Sequence, residues 1–214
     1  MAVIQRMPER NDEDLMLATG QGDNSAFAVL AECHHRSVVQ FIYRFLGNSD
    51  RETAEDLAQD VFSAFKAAGS YQPRAKVITW LLRMAKNAAL NYRRGQRLRR
   101  TETLRADDSS PTAAGGARSV EAGAMADEEA ARIRRAVAAL PASQRAAIIL
   151  RHFHDFTYSD IADVLEVSIS AVESLLFRAR CKLRGMLLET RTNQDAPQVS
   201  PDLGAGLFRE DTVL

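Results

Sequence analysis

The stretch that decides the fold is residues 157–184, TYSDIADVLEVSISAVESLLFRARCKLR. Its apolar residues recur at intervals of three and four, which predicts two short helices separated by a tight turn at residues 166–168. The second of these helices ends in basic residues. Together these features are typical of a helix-turn-helix, a motif that places its second helix in the major groove of DNA.

A helical wheel divides the second helix of this motif into two faces. The inward face is apolar and consists of Ile169, Val172, Leu176, Ala179 and Leu183. The outward face consists of Ser170, Ser174, Phe177, Arg178, Cys181 and Arg184. Arginine can donate two hydrogen bonds to guanine, serine can bond bases or phosphate, and an aromatic ring can contact the thymine methyl group. The outward face is therefore a candidate surface for duplex DNA; the alternative is a helical hairpin with a solvated basic face.

Two side chains of this motif, Glu173 and Phe177, have alternative roles, and the turn also needs comment. Glu173 can accept a hydrogen bond from a cytosine amino group, or it can cap the helix start together with Ser170, three residues earlier. Phe177 can meet DNA, or it can pack on a neighbouring helix or a partner protein. The turn contains no glycine, which predicts that it forms without positive φ angles.

Composition places the chain among globular proteins without a membrane span. It has 214 residues, 46% of them hydrophobic, and its 28 basic residues balance its 28 acidic ones. Its two cysteines, Cys33 and Cys181, form no disulfide framework, so we expect a reducing cytoplasm. The N-terminus lacks the apolar segment of a secretory signal. Because no nucleotide loop, nucleophile motif or zinc-ligand spacing is present, we expect no enzymatic activity, no cofactor and no metal.

The pattern outside the motif is also helical, and strand alternation is absent. We predict an all-α fold of two small helical domains joined by a flexible linker, the C-terminal domain carrying the helix-turn-helix. The predicted boundaries are 1–100 for the first domain, 101–125 for the linker, 126–189 for the second domain and 190–214 for a mobile tail. The predicted helix caps are Asn24, Ser49 with Glu52, Ser143, and Thr157 with Asp160.

A second basic segment ends the fourth predicted helix with the sequence NYRRGQRLRR, residues 91–100. Its five arginines form a candidate track for a phosphate backbone. Just upstream, Tyr71, Lys76, Thr79 and Trp80 bring two aromatic rings close to a cation, a combination that can hold unstacked bases. The alternatives are that Trp80 is a core anchor and that the arginines form a solvated helix end.

The third predicted helix is acidic, with Glu52, Glu55, Asp56 and Asp60. Asp56 and Asp60 share a face, and like charges at this spacing cost a few tenths of a kcal/mol or so. Such a face is commonly just solvated. It would also suit a basic protein partner, which could recover that cost on binding.

Three segments in this order resemble bacterial RNA polymerase sigma factors of the extracytoplasmic-function (ECF) class, over about residues 11–189. The segment ETAEDLAQDVFSAF is similar to the family's core-polymerase-binding helix. VITWLLRMAKNAALNYRRGQR is similar to its helix for the upstream hexamer nearest the start site. LPASQRAAIILRHFHDFTYSDIADVLEVSISAVESLLFRARCKLR is similar to its domain for the more distal promoter element. The sequence departs from the family's common pattern at Glu173, Leu175 and Phe177.

The resemblance implies a role for each matching residue. Contacts with core polymerase are implied for Asp56, Gln59, Asp60 and Phe62. Contacts with the melted strand of the proximal element are implied for Tyr71, Lys76, Thr79, Trp80, Arg83, Asn87, Asn91 and Arg94. Contacts with the distal duplex are implied for Ser170, Glu173, Ser174, Phe177 and Arg178. The resemblance also implies an anti-sigma partner and a linker that threads towards the RNA path inside the polymerase.

Three functions therefore compete. The first is a dissociable initiation subunit that brings core polymerase to chosen promoters and helps to melt them. The second is a polymerase-independent helix-turn-helix regulator, which leaves the acidic third helix and the Trp80 region without a role. The third is a protein-interaction adaptor whose basic patches bind acidic partners.

Overall fold

The computed structural model describes residues 11–47, 50–67, 76–106 and 124–194. Within these ranges the chain forms helices and no strand, which confirms the predicted all-α fold. The helices are α1 (Asp12–Gly20), α2 (Asn24–Leu46), α3 (Arg51–Ala67), α4 (Val77–Ala106), α5 (Ala124–Ala139), α6 (Ala142–Phe153), α7 (Tyr158–Leu165) and α8 (Ile169–Gln194). None of these helices is both long enough and apolar enough to cross a bilayer.

Helix α2 is the centre of the N-terminal half and packs against α1, α3 and α4. Its C-terminal part buries Phe41, Ile42 and Phe45 completely. The helix begins after Asp23, whose carboxylate accepts from two backbone N–H groups, so the predicted cap at Asn24 is wrong by one residue. It ends at Gly47, where φ is 96°, a left-handed conformation that glycine adopts at little cost.

Helices α3 and α4 complete this half. Ser49 lies outside the described residues; Asp50 accepts from the backbone N–H of Glu52 at 3.0 Å at the start of α3. Helix α4 is predicted to end within the basic segment 91–100, but it continues to Ala106, into the predicted linker. The three predicted boundaries between the domains, the linker and the tail remain predictions.

The C-terminal half contains α5 to α8. Helix α6 follows Pro141 directly and has no side-chain cap, so the predicted cap at Ser143 is wrong. The predicted capping box of α7 is confirmed: Thr157 and Asp160 each bond the other's backbone N–H. This box fixes where the first helix of the helix-turn-helix begins.

The two halves pack against each other, and one cluster of buried residues runs through both. Helix α2 contacts α5 and α6, and α4 contacts α7. The ring of Phe41 meets that of His154 edge-on at 6.0 Å. The guanidinium of Arg44 lies 4.4 Å from the ring centre of Phe153. The helix-turn-helix is therefore held on the N-terminal helices in this arrangement.

Arg145 of α6 joins the two halves by hydrogen bonds although it is only 2% exposed. Its Nη1 donates to the Phe45 carbonyl at 2.7 Å, at the end of α2. Its other donors reach the carbonyls of Val137 at 3.2 Å, Leu140 at 2.9 Å, and Ala138, near the end of α5. Burial lowers the pKa of Arg145 to about 10, so the group is still charged at neutral pH. The C-terminus of a helix attracts a cation, and its last carbonyls have no hydrogen-bond partner within the helix. Arg145 supplies both the positive charge and the hydrogen-bond donors.

His154 is partly buried in the same contact, between the rings of Phe41 and Phe156. Its Nε2 is buried and has no hydrogen-bond partner among the described residues. Burial, with the nearby charge of Arg44, lowers the pKa of His154 to about 4. This contact therefore requires the neutral imidazole.

We expect the free energy of unfolding to fall as the pH drops from about 6.5 towards 4. In this window the unfolded histidine is protonated while the folded one is not, so the unfolded state binds more protons and gains stability. The expected loss is on the order of 1–3 kcal/mol, measured by denaturant unfolding at a series of pH values. A His154→Phe variant should lack this part of the pH dependence, whereas His152→Gln, at an exposed position, should keep it. Identical pH profiles for His154→Phe and wild type would contradict the prediction.

Candidate nucleic-acid interface

The five residues of α8 that are implied in duplex contact are all exposed: Ser170, Glu173, Ser174, Phe177 and Arg178. The opposite side of the helix buries Val172, Leu176 and Ala179, as predicted. Phe177 is 68% exposed, so the alternative that it packs on a neighbouring helix is wrong in this structure. Ile169 is 50% exposed, and its predicted inward position is also wrong. Ile169 is the first residue of α8. A helical wheel assumes that neighbouring helices cover the apolar face equally along its whole length, including at its first residue.

The start of α8 settles the capping role considered for Glu173. The hydroxyl of Ser168 accepts from the Ala171 backbone N–H at 3.2 Å and shares a hydrogen bond of 3.0 Å with the hydroxyl of Ser170. Ser168 therefore caps α8, and a cap formed by Ser170 with Glu173 is not present. This leaves the Glu173 carboxylate on the outward face of the helix.

The turn between α7 and α8 depends on Glu166, which has φ 60° and ψ 45°. The expectation of a turn without positive φ is therefore wrong. A non-glycine residue in this left-handed region is uncommon and worth examining. The conformation ends α7 and sends the Glu166 side chain towards α4, as its ion pairs show.

Helix α3 presents an acidic face to solvent. Asp56, Gln59 and Asp60 are exposed, as contact with core polymerase would require. Phe62 differs from them, because it is only 6% exposed and its ring lies against that of His35 with centroids 6.0 Å apart. The geometry makes Phe62 a support for the exposed face rather than part of it.

Helix α4 carries the stripe of residues implied in strand contact. Asn87, Asn91 and Arg94 are exposed along it. Trp80 is half-buried and meets the ring of Phe65 edge-on, with centroids 5.1 Å apart and planes at 60°. Thr79 is 3% exposed and lies among the buried residues. Tyr71 lies outside the described residues.

Acidic residues of the helix-turn-helix occupy the N-terminal part of this stripe. Lys76 Nζ lies 3.2 Å from a carboxylate oxygen of Asp160. Arg83 forms an ion pair with Glu166, and its hydrogen bond is the main reason that the pKa of Glu166 is lowered. Lys86 Nζ lies 3.5 Å from the other Glu166 oxygen and donates to the Val164 carbonyl at 3.0 Å. We call these five ionisable side chains the ionic latch: Lys76 lies just before α4, Arg83 and Lys86 lie on α4, Asp160 lies on α7, and Glu166 lies in the turn.

The sequence-based interpretation gave no role to Lys86. It gave Glu166 only a place in the turn between the two helices. Lys86 follows Arg83 by three residues, so the spacing could have placed it beside that residue. Nothing in the spacing indicates the acidic partners, which are 83 and 84 residues away in the Arg83 and Lys76 pairs. The described residues contain no group of three or more potential metal ligands.

Comparison with known proteins finds two family matches, one in each half of the chain. Residues 30–99 match the family model for sigma-70 region 2, and residues 130–183 match that for sigma-70 region 4. The RNA polymerase sigma-H factor of Pseudomonas aeruginosa is 31% identical over 180 residues, covering 81% of this chain and 92% of the relative. The ECF RNA polymerase sigma factor SigM of Mycobacterium tuberculosis is 33% identical over 180 residues, covering 84% of this chain and 86% of the relative.

Solved structures share the fold. CnrH, solved in complex with the cytosolic domain of CnrY, superimposes with a TM-score of 0.62 at 24% identity, covering 83% of this chain and 97% of that one. The sigma factor RpoE of Bartonella quintana, solved with the anti-sigma factor NepR, gives a TM-score of 0.57 at 23% identity, covering 76% of this chain and 96% of that one. The chain belongs to the ECF class of RNA polymerase sigma factors.

Proposed function

We propose that this chain binds core RNA polymerase and directs it to chosen promoters, recognising a distal duplex element with α8 and a melted proximal strand with α4. One observation carries the proposal: the same chain presents an exposed recognition helix and, on another helix, an aromatic and basic stripe that begins at Lys76 and Trp80. A duplex-binding regulator needs only the first surface. A sigma factor needs both.

The division of work follows from the side chains. Ser170, Ser174, Phe177 and Arg178 offer donors and an apolar ring to base edges in a major groove. Glu173 adds an acceptor that suits a cytosine amino group and disfavours close phosphate. Specificity for the distal element therefore rests on base contacts at the centre of this face.

Promoter melting follows from binding to one state of the DNA. Trp80 can stack on an unpaired base, and Lys76, Arg83 and Arg94 can neutralise the backbone beside it. Asn87 and Asn91 lie on the same stripe and can bond base edges. Because these contacts exist only with the unstacked strand, they shift the promoter towards its open state without any bond being made or broken. We accordingly propose no catalytic activity for the chain itself.

The acidic face of α3 is the proposed contact with core polymerase. Asp56 and Asp60 place like charges on one face, and a basic partner surface would offset that repulsion. Gln59 lies on the same face, and Phe62 of the same helix is buried beneath it. The proposed site of action is the cytoplasm, with promoter DNA and core polymerase as partners and an anti-sigma factor as a further one. The domain, linker and tail boundaries given above belong to this proposal.

The proposal is tested by transcription in vitro with purified core polymerase and a library of genomic promoters. We expect initiation at a defined subset of promoters, and about a tenfold or greater loss of core polymerase affinity for Asp60→Lys, because like charges would face each other at the contact. Glu129→Lys is the matched control, since Glu129 is exposed on α5 and forms an ion pair with Arg132 of its own helix.

Two outcomes would favour the competing functions. Tight duplex binding with no promoter-specific initiation, from a folded chain and active core polymerase, would support the independent regulator. Equal retention of core polymerase by Asp60→Lys, Glu129→Lys and wild type would exclude the acidic face of α3 as the contact.

A further inference from the structure

One acidic side chain lies on the otherwise basic recognition helix. Between residues 169 and 188 of α8 the only carboxylate belongs to Glu173. The cations of the same stretch all come later along the helix and are all exposed, as Glu173 is: Arg178, Arg180, Lys182 and Arg184. The exposed side of α8 is therefore divided into an N-terminal part that contains the acid and a C-terminal part that is basic.

No role within the chain accounts for Glu173. Ser168 caps α8, so the carboxylate is not needed for that purpose. Glu173 lies four positions beyond Ile169, the first residue of α8, and the favourable effect of a helix dipole on an acid falls off within the first turn. In the part of the chain that the structure describes, its side chain has no hydrogen bond or ion pair. The carboxylate therefore faces solvent with its acceptors available.

The neighbours of Glu173 on the helix surface are residues that the proposed function gives to base edges. Ser170 lies three residues before it and Phe177 four residues after it, and residues at these intervals lie side by side on a helix. A recognition helix contacts base edges with residues in its N-terminal part. Glu173 is thus in the part of α8 that meets bases, whereas the later cations suit the phosphate backbone.

The chemistry of a carboxylate narrows the bases that Glu173 can accept. An ionised carboxylate accepts hydrogen bonds and donates none. In the major groove guanine presents two acceptors, thymine an acceptor and a methyl group, and adenine a donor beside an acceptor. Cytosine presents only the N–H of its N4 amino group. Cytosine is therefore the base whose edge matches a carboxylate without placing an acceptor against it.

We propose that Glu173 sets the base specificity at one position of the distal element: its carboxylate accepts a hydrogen bond from the N4 amino group of a cytosine and disfavours the other three bases. The inference rests on the proposed function, which makes α8 the reader of a distal duplex, and adds the identity of one base and the residue that selects it. Rejection contributes as well as attraction, because an acceptor facing the carboxylate in the groove is left without a partner.

The test is transcription by full-length chain assembled with purified core polymerase, on promoters whose distal element is randomised and identified by a barcode in the transcript. We expect the wild type to prefer cytosine at one position by about 5- to 100-fold over the other bases. Glu173→Gln should change the preferred base at that position to adenine, since glutamine both donates to and accepts from its edge. Glu173→Ala should lose the preference there and keep the others. Glu129→Gln, on an exposed acid of α5, is the matched control and should keep every preference.

A change in the DNA tests the same contact without a change in the protein. N4-methylcytosine at the selected position keeps the base pair and places a methyl group where the carboxylate needs an N–H. The wild type should transcribe this promoter less well than the cytosine promoter, by about the factor that a wrong base costs. Glu173→Ala should not distinguish the two promoters. Equal transcription of both promoters by the wild type would contradict the hydrogen bond.

A general effect of charge has a different signature. If Glu173 only repels the DNA backbone, Glu173→Ala and Glu173→Gln raise transcription from all promoters alike and leave every base preference unchanged. That result would overturn the inference and leave the proposed function intact. A wild type without base preference at any position of the distal element would instead contradict the proposed role of α8 itself.

Discussion

Replacing Arg145 with methionine is expected to lower the free energy of unfolding by about 2 to 4 kcal/mol, as measured by urea unfolding. Its guanidinium donates to carbonyls at the ends of α2 and α5, and its hydrogen bonds to the described residues all go to carbonyl oxygens. Methionine fills similar space but donates nothing, so several buried carbonyls would lose their partner. Arg145→Lys should fall between the two, because one ammonium group cannot reproduce the planar fork of donors.

The matched control for this prediction is Arg135→Met, an exposed arginine on α5 that is expected to change stability little. A donor and an acceptor dye on the exposed Cys33 of α2 and Cys181 of α8 should show the halves of Arg145→Met separating before they unfold, since Arg145 bonds the Phe45 carbonyl at the end of α2. A loss for Arg145→Met no larger than that for Arg135→Met would show that the buried guanidinium is not required.

The Trp80→Ala variant is expected to form open promoter complexes about ten- to a hundredfold less well than wild type, while duplex binding of the closed complex changes little. The expected factor follows from the roughly 1–3 kcal/mol that one base gains by stacking on an aromatic side chain. Open complexes can be followed by the reactivity of unpaired thymines, and closed complexes by duplex binding at low temperature. Because Trp80 is the only tryptophan of the chain, its emission should also respond when a strand binds to the wild type.

Trp80 also packs on Phe65, so a loss of structure must be separated from a loss of stacking. Trp80→Phe keeps an aromatic ring at the site and should retain more opening activity than Trp80→Ala, even if both variants lose stability. Reduced structure alone would impair closed and open complexes together. Equal defects at the two stages would contradict the role proposed for this ring.

The helices could be predicted from the sequence because each depends on patterns of residues that are close together in the chain. The capping box at Thr157 and Asp160 and the buried face of α8 depend on residues three or four positions apart. Errors in the predicted helix caps came where two neighbouring polar residues could each cap the helix. Asp23 caps α2 in place of Asn24, and Ser168 caps α8. Helix α4 also continues to Ala106, beyond the predicted start of the linker at residue 101.

The sequence by itself determined the fold class, the recognition helix and the exposed acidic face of α3, since each follows from periodicity and composition within one segment. Only the tertiary structure decided which of these surfaces are free. It brought Lys76 and Arg83 onto acids 84 and 83 residues away, and it set the guanidinium of Arg145 against a carbonyl 100 residues away. It also gave Glu166 its left-handed turn. The physical reason is that local patterns fix which face of a helix is apolar, whereas ion pairs between distant segments depend on how the helices pack.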